Sequence, residues 1–264
     1  MYSWGDDTNT WKNPGAYDFG SARRDYMDGL KKTADDKGPR TYLSKKAPDL
    51  KLCDPKGKAL STQSEHPVVI CVDGTGSMQT WPAEIFDRLP LLYQTLSKYK
   101  PDIELSFSVI GDANSDQWPV QVCQFAKGTT LDDHLKALKP EGGGGGGMRE
   151  SYELWAHYMS QHCTTPKATT PFMIIMGDEK FYDTVKPEHV QHVLGETIQA
   201  PLDAREVWRA LGQRFDIYVL RKSYAGYDKE IEAQWADVLG PQKIIPITDP
   251  TRCVDVAMGL IAKQ

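Results

Sequence analysis

Apolar runs of strand length alternate with apolar patterns of helical spacing from residue 66 to residue 262, and this alternation leaves few folds open. Pro67–Val72, Ile103–Ile110, Val120–Phe125, Phe172–Met176, Phe215–Leu220 and Lys243–Ile247 read as strands. Pro82–Ser97, Leu131–Leu138, Glu150–His162, Ala204–Arg214, Asp228–Val238 and Val254–Ala262 read as helices. Pro-Val-Val-Ile-Cys-Val is almost wholly apolar, as expected of a parallel strand covered by helices on both faces. The pattern predicts a doubly wound α/β domain over residues 66–264, with a mostly parallel sheet and Val120–Phe125 as its edge strand. In such folds ligands bind beyond the carboxyl ends of the strands, so the segments after Val72, Ile110 and Met176 are expected to share one rim.

Residues 1–65 differ. They are rich in turn formers, and only Ala22–Ala34 has a helical pattern. The segment has no core of its own, yet it carries Trp4, Trp11, Tyr17, Phe19, Tyr26 and Tyr42. Two readings fit: an irregular extension anchored on the domain by its aromatics, or an arm that orders on a partner.

A formal net charge of −5 removes the electrostatic term on which nucleic-acid binding depends. No apolar window approaches membrane-spanning length, and the amino terminus lacks the basic-then-apolar pattern of a signal peptide. The five cysteines, at 53, 71, 123, 163 and 253, are odd in number and have no metal-ligand or disulfide spacing. A reducing, cytoplasmic setting is the expectation.

The chemistry concentrates on the expected rim. Asp73, Thr75 and Ser77 leave the first core strand at alternate positions, so one carboxylate and two hydroxyls can converge on one side of the turn. An oxygen-only cluster of this kind suits a hard divalent cation such as magnesium. Asp178, after Gly177, ends another apolar strand and returns to the same rim. Between them lies the run Gly142–Gly147, a flexible loop over the rim whose large ordering entropy leaves it either mobile or held by its neighbours. No Gly-Lys-Ser or Gly-Lys-Thr follows it, which argues against a phosphate-binding loop.

The strand followed by Asp73-Gly-Thr75-Gly-Ser77-Met78 resembles the metal-ion-dependent adhesion site of von Willebrand factor A domains, whose first loop reads Asp-x-Ser-x-Ser. Gly177-Asp178 resembles the aspartate at the end of that family's fourth strand. Phe107–Asp112, Pro119–Phe125 and the glycine run are similar to the intracellular, bacterial or phage-like branch. The resemblance implies a Rossmann-like sheet, a Mg (or Mn) ion on Asp73, Thr75, Ser77 and Asp178, and no catalysis. It further implies a coordination position left open for an acidic residue of a protein partner, hence an adaptor or scaffold working beside a partner such as an AAA+ ring ATPase. The family's second-loop threonine has no counterpart: Gly147 and Met148 stand nearest, and a water, Glu150 or Asp112 is left to fill the gap.

A haloacid-dehalogenase-like phosphohydrolase is the enzymatic alternative. Its Asp-x-Asp-Gly-Thr loop would need an aspartate at Cys71, and its later acidic pair would need one at Tyr182 rather than at Asp183. A metal-free structural module is the third reading. His134, His157 and His162 are expected in helix packing or at the surface, His189 and His192 as a weak zinc pair, and Cys71 as a buried thiol. Glu179 is expected beside the site, and Tyr224–Asp228 as an aromatic lip or a packed loop.

Overall fold

The computed structural model describes residues 46–143, 147–224 and 226–263. Its centre is a six-stranded sheet of β1 (Pro67–Asp73), β2 (Glu104–Ile110), β3 (Val120–Val122), β4 (Phe172–Gly177), β5 (Asp216–Lys222) and β6 (Ile244–Ile247). The spatial order is β6-β5-β4-β1-β2-β3, parallel throughout except for β3, which runs antiparallel to β2 at the edge. β3 stops at Val122, short of the expected Phe125; beyond it Cys123 N still donates to Phe107 O at 2.8 Å, and Ala126 pairs with Leu105 as an isolated bridge.

Alternation along the central strands divides the apolar side chains between two cores. Val68, Ile70 and Val72 of β1, with Phe172, Ile174 and Met176 of β4, pack with α1 (Trp81–Leu96), α2 (Thr130–Ala137) and α6 (Thr251–Ala262). Val69 and Cys71, with Met173 and Ile175, pack with α3 (Tyr152–His162), α4 (Ala204–Gly212) and α5 (Asp228–Leu239). Every residue of β1 is buried, which explains its unbroken apolar sequence.

Three two-stranded pairings surround the sheet. Leu60–Ser61 runs parallel to Cys163–Thr164, and Thr184–Val185 runs antiparallel to Leu202–Asp203. Arg149–Glu150 pairs in parallel with Lys180–Phe181, so α3 begins at Tyr152 and not at the expected Glu150: the Glu150 backbone is committed to a ladder.

The described part of the amino-terminal extension lies on the domain. Cys53 joins the first core and Leu60 the second. Asp49 N donates to Ala137 O at 2.8 Å, and the Tyr158 hydroxyl donates to Lys58 O at 3.0 Å. The expected helix Ala22–Ala34 and the aromatics from Trp4 to Tyr42 fall outside the described residues. Among the described residues no helix is long and apolar enough to cross a membrane. The five cysteines are buried and form no disulfide among the described residues.

Candidate functional site

β1 delivers Asp73 as its last residue, with no exposed surface. A carboxylate in that position needs donors, and the next turn provides them. Thr75 N and Thr75 Oγ1 donate to Asp73 Oδ1 at 2.8 and 2.6 Å. The Tyr152 hydroxyl, at the start of α3, donates to Oδ2 at 2.5 Å. One 3-10 turn, Gly76–Met78, then brings Ser77 Oγ to 3.2 Å from Thr75 Oγ1.

Val72 is registered with Met176, so β4 releases Asp178 beside this turn, and Ser77 Oγ donates to Asp178 Oδ1 at 2.8 Å. The four side chains singled out in the sequence thus form one continuous run of contacts, Asp73 to Thr75 to Ser77 to Asp178. Each hydroxyl lies within hydrogen-bond reach of an aspartate carboxylate, and the two hydroxyl oxygens are 3.2 Å apart, where either can donate to the other.

Close backbone approach makes this possible. A Cβ on Gly177 would stand 2.0 Å from the Tyr152 hydroxyl and 3.2 Å from Asp73 Cβ. The glycine run begins as part of the scaffold: Gly142 N donates to Gly74 O at 2.8 Å, and Gly76 N donates to Gly143 O at 2.5 Å. Of the two expectations for the run, mobile or held by neighbours, Gly142 and Gly143 meet the second, because their backbones clasp the Asp73 turn; residues 144–146 lie outside the described set.

Acidic charge dominates the rim. Burial, and next the Asp178 charge, push the Asp73 carboxyl up to about 7. Burial also raises Asp178, against the opposing pull of Ser77 and Lys222. Glu179 is pushed up to about 8 by burial and then by Asp73, and Glu150 to about 11 by burial and then by Asp73 and Glu179. Glu150 and Glu179 are each only 3% exposed, and each has an Oε2 with no hydrogen-bond partner. Trp235 Nε1 donates to Glu179 O at 3.0 Å, and Tyr152, Phe181 and Trp208 pack edge-on against the Trp235 ring, so an aromatic floor holds this acid in position. Among the described residues the basic side chain ion-paired with this group is Lys222. Its Nζ lies 3.2 Å from Asp178 Oδ2 and donates to Ser77 O at 2.6 Å.

The residues named for the second-loop position differ in which of their side-chain oxygens have partners. Gly147 is exposed and Met148 half-buried, and neither offers a side-chain oxygen. Asp112 has both oxygens engaged, Oδ1 by Asn114 N and Nδ2 at 3.0 and 2.8 Å, and Oδ2 by the Tyr182 hydroxyl at 3.1 Å. Glu150 keeps a free oxygen. Among the described residues no group of three or more Asp, Glu, His or Cys side chains could hold a metal ion. The constellation here is of another composition: two carboxylates and two hydroxyls.

The histidines stay apart from it. His134 and His157 are buried, and burial lowers both; His162 pairs with Glu196 at 2.7 Å. His189 and His192 sit on the short helical segment Pro187–Leu194. Tyr224 and Tyr227 pack at 6.1 Å, with Tyr227 43% exposed. Burial, and then the Glu179 charge, raise the Tyr224 hydroxyl, which puts this tyrosine pair on the acidic side of the rim.

No family model matches the chain. No curated protein matches it either. The fold, however, has solved counterparts. The pilus adhesin SpaC of Lactobacillus rhamnosus GG, in its open conformation, superposes with a TM-score of 0.55 at 10% identity, over 79% of this chain and 31% of the adhesin. Proximal thread matrix protein 1 from the mussel byssus gives a TM-score of 0.52 at 9% identity, over 77% of this chain and 48% of that protein. The chain therefore spans about a third of the adhesin and about half of the thread protein. At such identities the likeness is one of mixed α/β fold.

Sequence reasoning missed Tyr152 and Lys222. Each stands at an element boundary, the first residue of α3 and the last of β5. No spacing or motif in the sequence marks either one. Cys71, where the hydrolase reading requires a nucleophilic aspartate, lies wholly inside the second core, and burial pushes its thiol up.

Proposed function

We propose that this chain is a metal-dependent protein–protein interaction module, an adaptor or scaffold of von Willebrand A type. Asp73, Thr75, Ser77 and Asp178 would hold a magnesium or manganese ion. The observation that carries this reading is the 2.8 Å hydrogen bond from Ser77 to Asp178, which joins two loops 101 positions apart into one oxygen cluster. The donor set fits the ion. Two hydroxyl oxygens lie 3.2 Å apart beside two aspartates, and two buried glutamate oxygens lack partners, so the rim offers oxygen ligands that suit a hard cation. Bound there, the ion would supply Lewis acidity toward a carboxylate from outside. Glu150 is the residue of the second loop best suited to support it, directly or through a retained water.

The finer architecture belongs to the same proposal. Sheet order reverses between β1 and β4, and the two cores lie on opposite faces, as a doubly wound domain requires. The exposed Tyr227 beside the acids offers an apolar contact for a partner whose own acid reaches the ion. One structural counterpart is itself an adhesin. Five buried cysteines that form no disulfide support a cytoplasmic setting, where an AAA+ ring ATPase is the partner class that the resemblance implies. The buried Cys71 weighs against a phosphohydrolase.

Lys222 favours a second reading, a metal-free module in which its ammonium is the permanent counter-charge. Affinity capture with and without chelator, comparing the parent with Asp73→Ala, separates the two. A partner set lost in both chelator and variant supports the metal-dependent module. A partner set unchanged in both supports the metal-free one.

A further inference from the structure

The rim carries its own cation. Lys222 ends β5, and its ammonium reaches across the top of β4 to the Ser77 carbonyl at 2.6 Å and to Asp178 Oδ2 at 3.2 Å. The same ammonium lies 5.9 Å from the centroid of the Trp81 ring, at the start of α1. It therefore touches both loops of the oxygen cluster, yet it leaves the Oε2 atoms of Glu150 and Glu179 without partners. An ammonium has one charge and three donors, too few for four acids and two hydroxyls. Its side chain keeps 17% exposure and a flexible stem, so it has a path out to solvent.

We propose that Lys222 is an exchangeable internal counter-ion: its ammonium guards the Asp178 side of the rim, and a divalent cation must displace it to bind. The inference rests on the metal-dependent reading above and adds a built-in competitor to it. Like charges at this range repel, so entry of the ion and withdrawal of the ammonium are one coupled event. The exchange holds metal affinity below what the oxygen set alone would give. It also offsets the Asp178 charge while the ion is absent.

The test uses the full chain and Mn2+ as probe, with binding read by electron paramagnetic resonance. Lys222→Met should bind Mn2+ about tenfold more tightly than the parent, while Lys222→Arg, which keeps the charge, should stay within about threefold of it. The thermal midpoint of Lys222→Met should also rise more with Mn2+ than that of the parent. Should Lys222→Met be too unstable to purify, the parent alone suffices: acylation of the Lys222 amine, followed by mass spectrometry, should increase when Mg2+ is added. Equal or weaker binding by Lys222→Met, in a protein whose parent binds and whose Asp73→Asn variant does not, overturns the exchange and leaves the metal-dependent module standing. Acylation unchanged or reduced by saturating Mg2+ overturns it likewise. Absence of binding in both parent and Lys222→Met overturns both proposals. Binding by Lys222→Met alone supports the exchange and removes metal dependence from the parent.

Discussion

The two ends of the sheet carry similar numbers of acids and treat them in opposite ways. At the amino ends of the strands Asp102 takes His66 Nδ1 at 2.8 Å and Glu65 N at 2.7 Å, Glu104 takes the Thr62 hydroxyl at 2.6 Å, and Asp216 pairs with Lys243. Slight desolvation is outweighed there, and its donors hold Asp102 below the usual carboxylate range. At the carboxyl ends Asp73, Asp178, Glu150 and Glu179 are buried, crowded and raised, and two of their oxygens have no donor. Charge alone does not distinguish a site from a surface. Burial without enough donors does, because it costs free energy that a proton or an added cation recovers.

Stability against pH breaks the comparison most widely. The folded Asp73 carboxyl titrates near 7 against an ordinary 3.8, and Glu179 and Glu153 near 8 against 4.5. Their folded values are raised, so the stability they contribute is fully present below the unfolded values and is lost as pH rises through the folded ones. Without metal, unfolding free energy should fall between the ordinary carboxylate range and about pH 8, by about 1.4 kcal/mol per pH unit for each proton the folded state still holds in excess. Saturating Mg2+ should flatten that slope. Asp102 works the other way: its contribution is present above 3.8 and is lost only in acid. Urea melts across this pH range, with and without Mg2+, read the difference; stability rising with pH in metal-free protein would contradict the account of the rim.

Gly177→Ala sharpens the geometric half of the comparison. Its Cβ would meet the Tyr152 hydroxyl and Asp73, so the variant should lose about 3 kcal/mol or fail to fold, as denaturant titration would report. Tyr152→Phe removes the donor to Asp73 Oδ2 and leaves the ring packed on Trp235. It should cost about 1–2 kcal/mol in metal-free protein at pH 7, with the deficit narrowing in Mg2+. At the other end His66→Ala should change stability by less than about 1 kcal/mol, because its acid partner is 44% exposed, and should leave Mn2+ affinity unmoved.

Much of this was legible in the chain. Strand and helix periodicity located every strand of the sheet, and the alternate spacing of Asp73, Thr75 and Ser77 anticipated their convergence with Asp178. What escaped is of one physical kind. Tyr152 and Lys222 reach the rim from α3 and β5, which lie on different flanks of the site, and no local pattern marks one boundary tyrosine or lysine among many. Glu150 was weighed beside Asp112, but only packing separates them, since it depends on which carboxylate finds its donors nearby. The composition of the glycine run leaves open whether it is mobile or held by neighbours, and the backbone hydrogen bonds of Gly142 and Gly143 decide this for its first residues, which they commit to the Asp73 turn.

The central claim is that the oxygens of two distant loops form one cation site, and a Mn2+ titration of the full chain beside Asp73→Asn and Asp178→Asn tests it most directly. The account predicts saturable binding of one ion at about millimolar concentration or tighter in the parent, with at least about a tenfold loss in each variant. No saturable binding in the parent, or equal binding in all three proteins, would contradict it.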